Sequence, residues 1–379
     1  MSLNVLVAPD KFKGTLTAHA AAAAIARGWR EARPEDQLTL LPISDGGDGF
    51  GEVVSSLLGA KPQSLKTVDA ARRACSAMWW WESRTKTAVV ESARVIGLAM
   101  LPRGRFHPFQ LDTFGLGRVL LAALRKGARR VIIGIGGSAT NDGGFGLARA
   151  LGWRFLDDQA RPIRQWTELH CLDRIGKPNK NPISQTVQIT IAVDVQNPLL
   201  GVHGATRVYG PQKGVRSVEF HTAERCLHQL ARVVRTQFRR DYAKMAGAGA
   251  AGGLGFGLSV FCGGRLESGF ELFAKLSSLP RQLRAADLVI TGEGMIDRSS
   301  LMGKGAGEMA LRCRKLKVPC IGLAGGVVRS RGQDRLFDQL RALTDLTSPE
   351  RAMANAARWL ERLANLSAAT FHRTPASWT

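Results

Sequence analysis

The opening of the chain alternates short apolar runs with longer amphipathic stretches. Residues 5–8 and 38–43 are apolar runs of strand length, and each ends at an acidic or Gly-rich segment. Residues 15–30 are rich in alanine, lack an interior proline and begin near Thr17, a residue type that caps helices. Residues 50–58 predict a second helix. Strand–helix alternation of this kind is typical of a doubly wound α/β unit.

The middle of the chain has a different pattern. From about residue 59, short alternating stretches such as 77–81 and 87–91 favour a more antiparallel sheet. Residues 116–126 predict a helix that leads into the next strand, and residues 220–244 predict a long basic amphipathic helix. These elements indicate a second domain.

Strand–helix alternation returns toward the end of the chain, in residues 287–323. The last helix is predicted to begin with Ser348 at its N-cap and Pro349 at its first position. Its apolar stripe would run through residues 353, 356, 360 and 363.

The first and last parts of the chain therefore resemble each other, and the middle differs. The predicted fold class is α/β, with one discontinuous domain formed by residues 1–60 and 285–379. A second α/β domain, residues 61–284, would be inserted into it. We expect the active-site cleft between the two domains.

The amino-acid composition and charge favour some classes of protein over others. Hydrophobic residues make up 45% of the 379, and no apolar run approaches the roughly 20 residues of a membrane span. The first residues lack the pattern of a signal peptide, so we expect a cytoplasmic location. The six cysteines have no C-x-x-C spacing, which favours reduced thiols in that compartment. A net charge of +22 could indicate nucleic-acid binding, but the basic residues are dispersed, which favours solvated surface charge.

Five Gly-rich or acidic loops follow predicted strands, and they carry the candidate chemistry. Ligands of open α/β sheets collect outside the carboxyl ends of strands, so these loops should converge on one cleft. The five are residues 9–14 (PDKFKG), 44–49 (SDGGDG), 136–144 (GGSATNDGG), Asp194 and 291–294 (TGEG).

The composition of these loops indicates phosphate and metal binding. Asp45 and Asp48, at the mouth of a helix, could hold Mg²⁺ or accept a hydroxyl proton. The loop 136–144 is neither a Walker A loop nor a dinucleotide fingerprint, yet its amides and hydroxyls suit phosphate oxygens. These features predict an enzyme that acts on phosphorylated molecules.

Taken together, the motifs resemble the type 1 glycerate kinase family. They occur in the family's order from residue 5 to beyond 305: residues 8–14 (APDKFKG), 44–49 (SDGGDG), 91–93 (ESA), 133–144 (IGIGGSATNDGG), 194–198 (DVQNP), 209–214 (YGPQKG), 248–257 (AGAAGGLGFG) and 291–294 (TGEG). The resemblance implies ATP- and Mg²⁺-dependent phosphorylation of D-glycerate. It also implies a Rossmann-like parallel-sheet domain with an inserted α/β domain.

The resemblance also suggests roles for individual residues. Expected catalytic residues are Asp45, Asp194, Lys13 and Lys304. Expected nucleotide-binding residues are Gly136, Gly137, Ser138, Thr140, Asn141, Asp142, Gly143, Lys213, Gly292 and Glu293. Expected metal ligands are Asp48 and Asp297. Which carboxylate acts as the base, and which lysines hold glycerate or the transferred phosphoryl group, is left open.

The family pattern is not complete in this chain. Lys11 stands where the family usually has serine, Ser299 stands where it usually has glutamine, and residues 162–167 replace a Gly-rich stretch. The expected product is 2-phosphoglycerate, because bacterial members of the family commonly make it. The alternatives are a kinase that forms 3-phosphoglycerate or acts on another small hydroxy acid and, less favoured, a basic nucleic-acid-binding protein. Association into a homo-oligomer is left open.

Overall fold

A computed structural model describes residues 2–180, 182–183, 186–297, 300, 305–328 and 336–371. The strands of this part of the chain are β1 (Asn4–Pro9), β2 (Gln37–Leu40), β3 (Lys61–Val68), β4 (Ala74–Glu82), β5 (Thr87–Glu91), β6 (Arg130–Gly134), β7 (Arg154–Leu156), β8 (Arg174–Gly176), β9 (Gln188–Val193), β10 (Arg265–Ser268), β11 (Leu288–Ile296), β12 (Cys320–Val327) and β13 (Gln339–Ala342). The helices are α1 (Ala18–Ala32), α2 (Phe50–Leu58), α3 (Ala93–Ile96), α4 (Phe114–Arg125), α5 (Phe145–Ala150), α6 (Ala205–Lys213), α7 (Phe220–Phe238), α8 (Ala250–Cys262), α9 (Gly269–Leu276), α10 (Leu279–Ala285), α11 (Gly305–Leu316), α12 (Pro349–Ala354) and α13 (Ala356–Ala369).

The chain divides into two compact units, residues 1–45 with 270–379 and residues 46–269. The sequence analysis placed these boundaries at 60/61 and 284/285. Helix α2 lies in the second unit because it packs on β4 and β5. A side chain at Gly51 would overlap the ring of Trp80, and one at Gly134 would overlap the ring of Phe50. This close fit between α2 and the sheet is not visible in the alternation pattern.

The first unit contains a parallel sheet with the strand order β13-β12-β11-β1-β2. Strands from the two ends of the chain are neighbours in it, since Val7 of β1 pairs with Ile290 of β11. Helices α1 and α13 pack together so closely that a Cβ atom at Gly28 would overlap the Glu361 carbonyl oxygen. The discontinuous parallel-sheet unit that the sequence predicted is confirmed.

The second unit contains a mixed sheet with the order β10-β9-β6-β5-β4-β3. Strands β10, β9, β6 and β5 are parallel, whereas β5, β4 and β3 pair antiparallel. Trp79 and Trp80 of β4 are buried. The described residues include no helix with the length and apolar character that crossing a membrane requires.

Several predicted elements match the structure, and two of them end earlier than predicted. Thr17 caps α1 by accepting a hydrogen bond from the Ala20 N–H, as predicted. The helix predicted for residues 220–244 ends at Phe238, because Arg239 takes a left-handed conformation with φ of 53°. The strand predicted for residues 38–43 ends at Leu40, just before Leu41 and Pro42.

The predicted C-terminal helix is two helices. Its start is confirmed, because Ser348 accepts a hydrogen bond from the Arg351 N–H with Pro349 in the first turn. The helix then breaks at Asn355, whose φ of −136° and ψ of 46° are not helical. Met353 precedes the break and is 65% exposed, so its predicted place on the buried stripe is wrong. Leu360 and Leu363 of α13 are buried as predicted.

Candidate active site

The first unit gathers carboxyl groups at the ends of three neighbouring strands, β11, β1 and β2. Asp10 follows β1, Asp45 lies beyond β2, and Glu293 belongs to β11. The Asp10 N–H donates to the Gly292 carbonyl oxygen at 2.7 Å, so the strand pairing itself holds Asp10 next to the end of β11. The Lys11 N–H donates to Asp10 Oδ1, also at 2.7 Å. Parallel order therefore brings together acids that are more than 280 residues apart in sequence.

Two of these carboxyl groups hold protons unusually strongly. Burial raises the pKa of Asp10 to about 8, and the neighbouring Asp45 carboxylate raises it further, while Lys11 acts in the opposite direction. Burial also raises the pKa of Glu293 to about 7, with added repulsion from Asp45 and Asp297. The cluster therefore favours a bound proton or cation near neutral pH.

Helix α11 begins beside this cluster. A Cβ atom at Gly305, whose φ is +43°, would lie 3.0 Å from Asp10 Oδ2 and 3.7 Å from Glu293 Oε2. The start of α11 therefore lies close to both carboxyl groups. Lys304 and Ser299, which the sequence analysis singled out, lie outside the described residues.

In the second unit, the loop that precedes α2 lies against the start of the 136–144 loop. The Gly136 N–H donates to the Gly46 carbonyl oxygen at 3.4 Å. Gly137 has a φ of +72°, and a Cβ atom there would overlap Asp48 Oδ1. Glycine adopts this conformation without strain and leaves room for the exposed Asp48 carboxylate beside it.

Glu91 holds the first of these loops in place, and sequence reasoning did not select it as a site residue. Its carboxylate accepts hydrogen bonds from the N–H groups of Gly49 at 2.7 Å and Gly51 at 3.0 Å. Burial raises its pKa, although both hydrogen bonds and Arg94 act against that rise. The one available signal was its place at the end of a strand, within a motif shared with the family.

The side chains in the middle of the 136–144 loop point inward. Ser138 Oγ and Thr140 Oγ1 are hydrogen-bonded at 2.9 Å, and both residues are buried. Asp142 is fully buried and accepts hydrogen bonds from Thr113 N–H, Thr113 O–H, Gly144 N–H and Gly146 N–H. Burial raises its pKa to about 6. Asp142 thus anchors the loop to the start of α4 and to α5. Both of its carboxylate oxygens accept hydrogen bonds from residues of the second unit.

Lys213, at the end of α6, reaches the same loop. Its Nζ donates to the Thr140 carbonyl oxygen at 2.7 Å, and the residue is only 7% exposed. Burial lowers its pKa to about 7, and the Asp142 carboxylate opposes this shift. A buried amine with a pKa near neutrality gains charge readily when an anion binds beside it.

Asp194 follows β9, and two polar residues missed by sequence reasoning lie near it. Burial and the Asp194 carboxylate together raise the pKa of Tyr209 to about 12. The Tyr209 hydroxyl donates to Asn197 Oδ1 at 2.6 Å. Asp194 thus lies in a polar surrounding at a strand end, as its position in the sequence predicted.

The predicted site residues fall into two sets, one in each unit. The first unit holds Lys13, Asp45, Gly292, Glu293 and Asp297. The second unit holds Asp48, Gly136, Gly137, Ser138, Thr140, Asn141, Asp142, Gly143, Asp194 and Lys213. Asp10 was also missed, although it stands in the motif 9–14 directly after a strand.

The carboxylates of the site are also candidate ligands for a metal ion. Within the described ranges, no three or more His, Cys, Asp or Glu side chains are arranged to hold a metal ion by themselves. Mg²⁺ in nucleotide sites is usually held by one or two carboxylates together with substrate phosphates and water. The exposed Asp48 carboxylate beside Gly137 fits that mode of binding.

Comparisons with known proteins agree with this chemistry. Residues 5–372 match the profile of the Glycerate kinase family. Glycerate 2-kinase of Escherichia coli K12 is 36% identical over 352 residues, which cover 91% of this chain and 92% of the relative. Glycerate kinase of Halalkalibacterium halodurans is 36% identical over 336 residues, 88% of each chain. The crystal structure of a candidate glycerate kinase 2 from Salmonella typhimurium LT2 is similar with a TM-score of 0.83, 32% identity and 98% coverage of both chains.

Proposed function

Because this chain belongs to the glycerate kinase family and is a kinase, we propose that it transfers the terminal phosphoryl group of ATP to the 2-hydroxyl of D-glycerate. The reaction requires Mg²⁺. The glycerate oxygen forms a bond to the γ-phosphorus, the bond from that phosphorus to ADP breaks, and the hydroxyl proton passes to a carboxylate. The proposed residues come from both units of the chain.

The observation that carries the proposal is the carboxyl cluster of Asp10, Asp45 and Glu293. Phosphoryl transfer needs little covalent help from the protein, but the acceptor hydroxyl must lose a proton. Asp45 accepts that proton. Asp10 and Glu293 are neighbouring groups that already hold protons near neutral pH, and their pKa values are raised by burial and by Asp45. Protons bound to Asp10 and Glu293 limit the negative charge around Asp45.

The nucleotide phosphates lie against the 136–144 loop. Gly137 at the start of this loop is exposed, and Lys213, which donates to the Thr140 carbonyl oxygen of the same loop, supplies positive charge. Asp142 contributes by holding the loop, since its carboxylate is engaged by Thr113 and would repel a phosphate. The remaining nucleotide contacts in this proposal are Ser138, Thr140, Asn141 and Gly143 of the loop, with Gly292 and Glu293 of β11.

Asp48 and Asp297 are the proposed protein ligands of the magnesium ion. When bound with ATP, such an ion neutralises phosphate charge during transfer. The position of Asp48 beside Gly137 supports its part in this assignment. Asp297 neighbours Glu293, where its negative charge contributes to the raised pKa.

The glycerate carboxylate is held by lysine side chains in this proposal. Lys13 follows β1 and is exposed, and Lys304 precedes α11 in the sequence. Asp194 is the second candidate for the proton acceptor, since it also stands at a strand end. The Escherichia coli relative is named glycerate 2-kinase, which supports the 2-hydroxyl over the 3-hydroxyl.

The test is a coupled assay of ADP release over a panel of small hydroxy acids, followed by ³¹P NMR of the product. We expect rapid ADP formation only with D-glycerate, and a phosphate ester on the secondary oxygen. A primary ester would assign the 3-position instead. ADP release that is independent of every hydroxy acid would refute the proposed reaction.

A further inference from the structure

Glu91, at the end of β5, binds the loop that carries Asp48 through two hydrogen bonds. Its Oε1 accepts from the Gly49 N–H at 2.7 Å, and its Oε2 accepts from the Gly51 N–H at 3.0 Å. The Gly49 N–H belongs to the peptide group that joins Asp48 to Gly49, and this group is planar. A hydrogen bond that fixes this N–H therefore also fixes the Cα atom of Asp48.

The next residues along the chain hold the second loop of this site. The Ser92 hydroxyl donates to the Gly136 carbonyl oxygen at 3.2 Å, and the Leu98 N–H donates to the Gly137 carbonyl oxygen at 2.9 Å. A Cβ atom at Gly137 would overlap Asp48 Oδ1, so the carboxylate lies directly beside this loop. One short segment therefore contacts both the loop that carries Asp48 and the loop beside which its carboxylate lies.

Arg94 links Glu91 to helix α2. Its Nε lies 3.4 Å from Glu91 Oε2, and its Nη2 pairs with Glu52 Oε1 in the first turn of that helix. The central carbon of its guanidinium group lies 5.3 Å from the centroid of the Trp80 ring. Glu91 is only 3% exposed, and a buried carboxylate is stable when it is paired and hydrogen-bonded. Arg94 thus compensates the buried charge of Glu91.

We propose that Glu91 is a positioning residue for magnesium binding, which acts by holding Asp48 beside Gly137, and that Arg94 supports Glu91 in this role. The inference rests on the proposed function and refines it, because it names the residues that place one of the proposed metal ligands. In this arrangement neither Glu91 nor Arg94 touches the ion or the nucleotide.

The position of Glu91 requires two acceptor oxygens. Both the Gly49 N–H and the Gly51 N–H donate to it, and a carboxylate offers one acceptor to each. In Glu91→Gln one oxygen is replaced by an NH2 group, which is a donor and cannot accept from an N–H. Glutamine has nearly the same size and shape as glutamate. The substitution therefore removes one hydrogen bond at the loop and leaves the packing around β5 in place.

The main experiment measures the binding of Mn²⁺, which replaces Mg²⁺ as the probe, to the protein with ADP by electron paramagnetic resonance. No turnover is involved. Glu91→Gln should weaken Mn²⁺ binding about 10-fold, as expected for the loss of one hydrogen bond to a charged group. In an Asp48→Asn background the same substitution should weaken it by less than about 2-fold, because Glu91 acts through Asp48. Equal factors in the two backgrounds would overturn the inference, and so would wild-type Mn²⁺ affinity in Asp48→Asn alone.

Hydrogen exchange tests the loop directly in the metal-free protein. In Glu91→Gln, peptides that cover residues 46–54 should exchange their most protected amides about 10-fold faster by mass spectrometry, because one of the two N–H groups has lost its acceptor. An unchanged rate would show that these amides do not depend on Glu91, which would contradict the proposal.

Arg94→Gln is a second variant for the case in which Glu91→Gln does not fold. The Arg94 side chain is 30% exposed, so its replacement disturbs the core less than a change at Glu91. It should weaken Mn²⁺ binding about 3-fold, the size of a partly exposed ion pair, and again only when Asp48 is present. Unchanged Mn²⁺ affinity in every folded variant at these two positions would mean that Glu91 only caps α2, and would overturn the inference.

The matched control is Asp36→Asn, the same carboxylate-to-amide change at a buried residue of the first unit. Asp36 accepts a hydrogen bond from the Leu3 N–H at 2.9 Å and pairs with Arg33, and it has no part in the proposed reaction. The variant should have a lower melting temperature and wild-type Mn²⁺ affinity. An equal loss of Mn²⁺ affinity in this control would assign the effect to general destabilisation and refute the role of Glu91. If the wild-type chain phosphorylates no hydroxy acid, the proposed reaction fails, and the Mn²⁺ titrations with ADP still decide the role of Glu91.

Discussion

The ammonium group of Lys213 donates a hydrogen bond of 2.7 Å to the main-chain carbonyl oxygen of Thr140. Lys213 is nearly excluded from solvent, and burial lowers its pKa to about 7. An unfolded lysine keeps its proton to a much higher pH. Between about pH 7 and pH 10 the unfolded chain therefore binds more protons, and the contribution of Lys213 to stability becomes more favourable as pH rises.

Replacing Lys213 by methionine should remove this pH-dependent penalty. We expect Lys213→Met to melt roughly 2 °C or more above the wild type at pH 6, with the difference narrowing as pH approaches 10. The same variant should lose activity, because the charge beside the loop is gone. Scanning calorimetry at several pH values measures the first effect. A difference that is independent of pH would contradict the burial of the charged amine.

Asp10 should make the stability of the fold depend on pH in the opposite direction. Its pKa is about 8 in the folded chain against 3.8 for an ordinary aspartate, so between about pH 4 and 8 the folded state binds more protons. Stability contributed by this group is present at low pH and is lost as pH rises through that window. Asp10→Asn cannot ionise, so its melting temperature should exceed that of the wild type by a margin that widens from pH 5 to pH 8. Equal margins at both pH values would exclude the shifted pKa.

Asp45→Asn should lower kcat by about 100-fold or more, because an amide cannot accept the hydroxyl proton. The fold should survive, since asparagine has nearly the same shape. Steady-state kinetics with circular dichroism measure both effects. Asp158→Asn, at an exposed position of the second unit, is the matched control and should have wild-type turnover. A wild-type kcat in a folded Asp45→Asn variant would mean that Asp194, and not Asp45, accepts the hydroxyl proton.

Gly137→Ala should raise KM for ATP by about 10-fold, because the new methyl group overlaps Asp48 Oδ1 and displaces this proposed magnesium ligand from the loop. Gly104→Ala separates this effect from backbone strain. Gly104 has nearly the same φ, +70° against +72°, and open space around its Cβ position. Both variants should lose about 1 kcal/mol of stability from the left-handed conformation. Only Gly137→Ala should change KM; equal KM values in the two variants would argue against a nucleotide contact at this loop.

Metal removal tests the magnesium assignment. Activity should vanish in EDTA, because without the ion the phosphate charge is no longer neutralised. Addition of excess Mg²⁺ should restore it. Asp48→Asn should raise the Mg²⁺ concentration needed for half-maximal rate. Full turnover in metal-free buffer would rule out this part of the proposal.

The sequence predicted the ends of helices well where residues next to those ends mark them. The bounds of α2 were predicted as residues 50–58 and are Phe50–Leu58 in the structure. The Thr17 cap and the Ser348 start were also confirmed. Helix ends were predicted poorly where no glycine or proline marks them, as at Arg239 and Asn355. There the backbone conformation depends on packing, which periodicity does not record.

The amino-acid sequence by itself determined which loops carry acids, glycines and lysines, and at which strand ends they stand. It also determined the family, through motifs such as residues 138–144. Only the tertiary structure decided what each side chain does. Asp142 is an anchor because Thr113, which directly precedes α4, donates to it. Asp10 holds a proton because β1 pairs with β11 and burial is complete only in the folded sheet. Burial and Coulomb interactions depend on neighbours far away in the chain, and short patterns do not contain them.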